Sequence, residues 1–322
     1  MSRLMTVVLL TVLTIPLAAE SQPSGNAALR YWQAFALLQD IPATSADAHE
    51  LEGILKGELP WDEAKFGRWV DQNAEALSTL ERGTKLPRCD WGLDLDLGPA
   101  APVAHIAKAR ALARLDALAA VRLAAQGKQK EAVDAWLIGF RFAQHLSQDG
   151  TLVGTLVAST AASAQMSTIS QALQSESWDP ANLASLEKAL QQVPRYFFDW
   201  SRPMQTEQQA MAVFIQQAAS PTEPLRQEVS EADLAELRSN GPQLQSEFDN
   251  IYTEAVAAFR LPANQSSSRL QSIEASLSHD IPFVQKSVPN LITINNTRAQ
   301  LEADRQSLLA KITQTKQRRM NQ

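Results

Sequence analysis

The chain has 322 residues, of which 45% are hydrophobic and 20% charged, the balance of a globular protein with a sizeable core. That balance excludes a disordered chain, which would carry fewer apolar residues and more net charge. Twelve glycines are too few for an all-β chain of many turns. A formal charge of −6 repels polyphosphate, so nucleic acid is not expected as a partner.

The first segment reads as an export signal. Arg3 gives a positive start, Leu4 to Leu17 is an uncharged apolar run, and the small residues Ala18 and Ala19 precede Glu20. The run is shorter than the about 20 residues that a bilayer span needs, so no stable membrane span is expected after cleavage. Removing residues 1–19 takes away Arg3 and no acidic residue, leaving −7. The mature product is therefore expected in the periplasm or outside the cell. Cys89 is the sole cysteine, so an exported chain of this kind must hold itself together by apolar packing. Cys89 reads first as a small buried hydrophobe and otherwise as a thiol free for an intermolecular disulfide; Arg88 and Asp90 offset each other beside it, so no activated thiolate is expected.

After a flexible segment at 20–25, a main helical domain is expected over 26–219 and a C-terminal helical region over 225–322. Ala28, Tyr31, Phe35 and Leu38 fall on one face of a helix over 26–39. A short helix is expected over 46–56. Another starts at Pro60 and ends before Gly83, with Phe66, Trp69, Val70, Asn73, Leu77 and Leu80 as its buried stripe. Residues 84–102 break the pattern with Pro87, Gly92, Gly98, Pro99 and Pro102. Within them Leu93 to Leu97 alternates leucine and aspartate, which predicts an extended segment with leucines inward.

Three helices are then expected over 103–126, 128–147 and 150–175, with Gly127 and Gly150 at joints short enough to make neighbours antiparallel. Asp179-Pro180 is a capped helix start that runs to about Val193. A helix kinked at Pro203 is expected over 197–219, and the stretch 220–224 marks the one plausible domain boundary. Beyond it, helices are expected over 230–238, 242–259, 265–278 and 290–319. The fold class is all-α, built of stacked antiparallel helical hairpins, with no significant sheet. Lys316, Arg318 and Arg319 suit the last turn of the final helix, where cations oppose its dipole.

The hairpin from Ala120 to Leu146 resembles one tetratricopeptide-type unit. Ala120, Leu123, Gly127, Ala132 and Trp136 follow that repeat's order of small, turn and aromatic positions. The repeat's opening and closing positions fall on Asp116, Ala119 and Gln144, which depart from it. The resemblance covers about 27 residues and implies an α-solenoid or a less regular helical array. The chain as a whole also resembles uncharacterised exported bacterial helical proteins, which bring no activity with them.

The best site candidate is the carboxylate set Asp90, Asp94 and Asp96, followed by His105. Oxygen clusters of this kind suit hard cations, but the twelfth position from Asp94 is His105, where a calcium loop needs a glutamate. A solvated edge is the plainer reading. His49-Glu50 opens like a zinc-protease helix, yet Gly53 stands where the second histidine belongs. His145 lies near Asp149 in sequence and reads as a local pair. Glu176-Ser177 resembles the pair used by some peptidoglycan-cleaving enzymes with helical-ring bodies, without their surrounding aromatic and glycine pattern. Tyr196, Phe197, Phe198 and Trp200 read as core. Asn264 and Asn295 head glycosylation-type triplets. With no catalytic residue and no cofactor expected, the reading is an exported scaffold that binds another protein or peptide. Its rivals are a cell-envelope hydrolase with dispersed residues and a metal-binding protein using the Asp90–Asp96 loop. A groove gathering Asp94, Asp96 and His105 would favour the rivals; a groove of aromatics and amides would favour binding.

Overall fold

The computed structural model describes residues 25–39, 45–174, 178–219, 229–277 and 282–320. The expected signal at 1–19, the boundary at 220–224, Glu176 and Ser177 lie outside them. Among the described residues the chain is all-α. Its one β-type contact is an isolated bridge between Asn26 and Arg88. No helix of these residues is long and apolar enough to cross a membrane.

The helices are α1 Ala27–Leu37, α2 Ser45–Leu55, α3 Glu63–Gln72, α4 Ala74–Thr84, α5 His105–Ala125, α6 Gln129–Leu146 and α7 Leu152–Ala172. They continue with α8 Pro180–Gln192, α9 Ser201–Ala218, α10 Glu231–Phe259, α11 Ala263–Ser276, α12 Pro282–Ser287 and α13 Leu291–Met320. Short 3-10 turns occupy Leu95–Ala100 and Ser147–Asp149.

The α5–α6 hairpin closes as its residues require. Gly127 takes the left-handed φ of 75° that ends α5. Ala120, Ala132 and Trp136 are fully buried, and Trp136 Nε1 donates to Thr168 Oγ1 of α7 at 3.0 Å. Helix α7 packs on both members of the hairpin, and α13 lies along α7, α8 and α11. Helices α9 and α10 pack against each other, and α9 also carries the 3-10 turn at 95–100. One hydrophobic core runs through the helices, from Ala27 to Ile312.

Several expected elements differ in the structure. The helix predicted from Pro60 is two helices, α3 and α4, divided at Asn73. That side chain is buried and turned to backbone duty: Nδ2 donates to Trp69 O at 3.0 Å and Oδ1 accepts from Gln39 N at 2.8 Å. The alternating segment 93–97 is not extended. It enters the 3-10 turn, and Leu97 is 41% exposed rather than inward. Gly98 reverses the chain at φ 61°, where a Cβ would stand 3.0 Å from Ala210 O.

Pro203 makes no kink, because α9 starts at Ser201 and places it in the first turn, where no amide is needed. Tyr196 and Phe197 instead adopt φ of 64° in a tight turn before α9. Phe197, Phe198 and Trp200 are buried as core. The two helices expected over 230–238 and 242–259 are one, α10, with Pro242 inside it. Arg298 caps its far end, donating from Nη1 to Phe259 O at 3.0 Å and from Nη2 to Leu261 O. Asn295 is buried with its amide nitrogen bonded to Ala263 O, so its triplet is no exposed acceptor for a glycan. At the C-terminus, Arg318 and Arg319 lie in the last turn of α13 and Lys316 pairs with Glu187.

Candidate functional site

Two regions gather chemistry-bearing side chains. The first is a buried knot where α1, the loop after α4, and the ends of α5, α6 and α7 meet. Asn26 ties it together. Its Oδ1 accepts from Ala28 N to cap α1 and from Asp90 N at 2.8 Å, while its Nδ2 donates to Asp90 O at 2.8 Å. That grip seats Cys89 and Trp91 under α1. Trp91 Nε1 donates to His145 O at 3.1 Å, and its ring stacks on His105 with centroids 4.3 Å apart.

His105 opens α5, fully buried, with Nε2 3.0 Å from Asp149 Oδ2. The other carboxylate oxygen accepts from Thr151 N at 2.7 Å and Thr151 Oγ1 at 3.0 Å. Thr151 in turn caps α7 by accepting from Gly154 N. The positive end of α7 thus favours the Asp149 charge. Gly154 makes the room, since a Cβ there would stand 2.1 Å from Asp149 Oδ2. His145 does not pair with Asp149, as sequence proximity suggested. It points to α1, with Nδ1 2.5 Å from Tyr31 Oη.

Burial, with Arg141 adding to it, pushes the His145 imidazole down to about 4, and burial pushes the Tyr31 phenol up. A neutral imidazole therefore accepts from a neutral phenol at Nδ1. Burial likewise pushes the Cys89 thiol up to about 12, with Asp149 and Asp90 adding to it, so the thiol is a protonated, inert core group. The His105–Asp149 pair has the orientation of a base and its orienting carboxylate. Yet the remaining nitrogen, Nδ1, is buried and meets no hydrogen-bonding group among the described residues. The knot locks five chain segments together and presents no nucleophile.

The predicted carboxylates are not brought to it. Asp90, Asp94 and Asp96 are exposed on the loop surface, whereas His105 is turned inward to Asp149. Asp90 spends one carboxylate oxygen on Gly92 N. Among the described residues no three His, Cys, Asp or Glu side chains are placed to hold a metal ion. On α2, His49 is exposed and Glu50 pairs with Lys65 at 2.5 Å.

The second region is a cleft of about 430 Å³ beside the hairpin turn. Pro60 and Trp61 form one wall, and Gln129 and Trp178 the other. The floor comes from the C-terminal ends of α5 and α7, through Ala124, Ala125, Thr168 and Ala172. Both indoles are fixed: Trp61 Nε1 donates to Glu63 Oε2 at 2.7 Å, and Trp178 Nε1 to Ala172 O at 2.8 Å. Trp178 also rests on Trp136, with centroids 5.8 Å apart. The amides are set by backbone contacts. Gln171 Nε2 donates to Leu59 O, and Gln129 Oε1 accepts from Asp179 N, each at 2.8 Å. Arg122, next to the lining residue Val121, pairs with Glu63 and Asp71 and pulls both exposed carboxyls below their usual range.

No protein-family model, curated protein or solved structure matches the chain.

Sequence reasoning did not find this cleft. Its residues come from 60–61, 121–129 and 168–178, three stretches that carry no shared motif. The only readable signals were Pro60, Gly127 and Asp179-Pro180, which mark helix ends and so the places where walls can stand.

Proposed function

We propose that the chain is an exported helical scaffold that holds a segment of a partner polypeptide in the cleft between Trp61 and Trp178. The observation that carries this reading is the lining of that cleft: the half-buried indole of Trp61, a proline and two oriented amides around an alanine floor, with the buried Trp178 closing the far side. Indoles offer large apolar area at small entropic cost, and amides serve a peptide backbone. Aromatic-walled grooves of this shape suit an extended, proline-bearing segment, whose backbone is already ordered before it binds. The tetratricopeptide-like order of small, turn and aromatic residues in the α5–α6 hairpin supports the reading, since stacked hairpins of that kind present binding surfaces. Export rests on residues 1–19 and would place the scaffold in the periplasm or outside the cell.

The test is selection from a displayed library of proline-containing peptides against the mature chain. Selected peptides should bind at least tenfold more weakly to Trp61→Ala, and equally well to Trp32→Ala, whose indole is exposed elsewhere. A library that yields no peptide distinguishing Trp61→Ala from the parent rejects the cleft as the contact surface. Intact mass of the product recovered from cells should lack about 19–21 residues. A full-length, membrane-bound product rejects export.

A further inference from the structure

A separate cavity of about 190 Å³ opens between α2, α5 and α7. Its floor is apolar and buried, formed by Leu55, Ala113, Val157 and Ala161. Its rim is cationic. Arg110 and Arg114 stand one turn apart on α5, and Lys56 faces them from the end of α2. Glu52 alone among the lining residues is acidic, 3.2 Å from Arg114 and 4.0 Å from Lys56. Arg110 has no ion pair among the described residues.

This arrangement runs against the chain as a whole, whose net charge is −6. Like charges four residues apart on a helix repel, and one carboxylate among three cations leaves a surplus of two. An anion at the rim would relieve that repulsion, and a guanidinium presents its donors in a fork that matches a carboxylate. The floor asks for something different, an apolar group with no hydrogen bonds to lose. A ligand that meets both demands has an anionic head and a hydrocarbon tail. At roughly 30 Å³ per water-sized group, the cavity admits a tail of about six carbons. That is too little for a folded partner and enough for a short acyl chain.

The geometry points to a binding site for a small acyl carboxylate, its head between Arg110 and Arg114 and its tail on the apolar floor of Leu55, Ala113, Val157 and Ala161. The site shares no lining residue with the Trp61–Trp178 cleft and does not depend on the reading given there.

Octanoate titrated calorimetrically into the mature chain tests it. Saturable binding is expected, with acetate and octanamide each at least tenfold weaker, because one lacks the tail and the other the charge. The double variant Arg110→Gln, Arg114→Gln should weaken octanoate at least tenfold. It touches only the rim, so its melting curve should match the parent's. Ala161→Leu should fill the floor and remove binding; if that variant fails to fold, the arginine pair and the two analogues decide. The proposal is overturned if octanoate does not saturate, if either analogue binds as well, or if the double variant binds octanoate as the parent does.

Discussion

Acid should loosen the buried knot through His145. The imidazole is fully buried, neutral, and accepts from Tyr31 Oη at 2.5 Å. Its folded value lies at about 4 against 6.5 for an ordinary histidine. A folded value below the unfolded one contributes stability that is present above pH 6.5 and is lost as pH falls through 4. Each pH unit across that window removes about 1.4 kcal/mol, so the whole interval removes about 3 kcal/mol. That is a large fraction of the total stability of an ordinary domain. Burial raises the carboxyls of Asp116 and Glu207, so they act in the opposite sense as pH falls. Glu302 is held down at about 2; its burial works the other way, but Arg305 and Gln306 outweigh it, so it matters only in stronger acid. The comparison must therefore be with a variant. His145→Asn keeps an acceptor near the Nδ1 position and cannot titrate. Denaturant melts from pH 7.5 to 4.5 should show the parent losing stability relative to His145→Asn as pH falls. The constant offset between them reports lost packing and is not the readout. Parallel curves would refute the argument.

Three further outcomes test other parts of the fold. Asp116 is buried and accepts from Gln165 Nε2 at 2.9 Å, and burial holds its carboxyl well above the usual range. Its contribution is therefore complete only in acid and declines as pH rises, so Asp116→Asn should gain on the parent as pH rises above the usual carboxylate range in denaturant melts; a gap that does not change with pH would show the carboxylate to be tolerated. Gly154→Ala should destabilise by about 1–3 kcal/mol by crowding Asp149, whereas in an open helix the same change stabilises by about 1 kcal/mol, so the sign alone decides. Replacing Asp94 and Asp96 together by Asn should alter thermal stability by less than about 0.5 kcal/mol, with or without calcium; a large loss reversed by calcium in the parent would restore the loop as a metal site.

The helices were legible wherever one face alone is buried. Tyr31 and Phe35 mark the inner side of α1, and Asp179-Pro180 announces the start of α8 with its cap in place. Reading failed where a side chain works on the backbone instead of following the pattern. Asn73 sits on the apolar stripe of one imagined helix, yet its amide divides α3 from α4. Helix α7 is harder still, because its buried side is not all apolar. Thr155, Ser159 and Thr168 are buried among its apolar residues, each hydroxyl returned to a carbonyl of the preceding turn. Such a helix shows no apolar stripe, since hydroxyls are buried on its inner side while Val153 is exposed on its outer one.

The site candidates failed for a related reason. Sequence places Asp90, Asp94 and Asp96 near one another and His145 near Asp149, and spacing along the chain is all that linked those residues. The structure assigns partners by the direction each helix end faces. His145, at the end of α6, faces α1, while Asp149 lies four residues later, past the turn, where α7 begins and α5 also starts. His105 is therefore its partner across 44 residues, and the three loop aspartates stay on the exposed loop surface. The two concave surfaces follow the same logic. Both lie where the 50–63 segment crosses α5 and α7, because a chain bridging two packed helices cannot fill the groove between them. Short side chains on α5 and α7, above all alanine, keep those grooves open. The same alanines let the helices approach closely, so the composition that builds the array also leaves its binding surfaces.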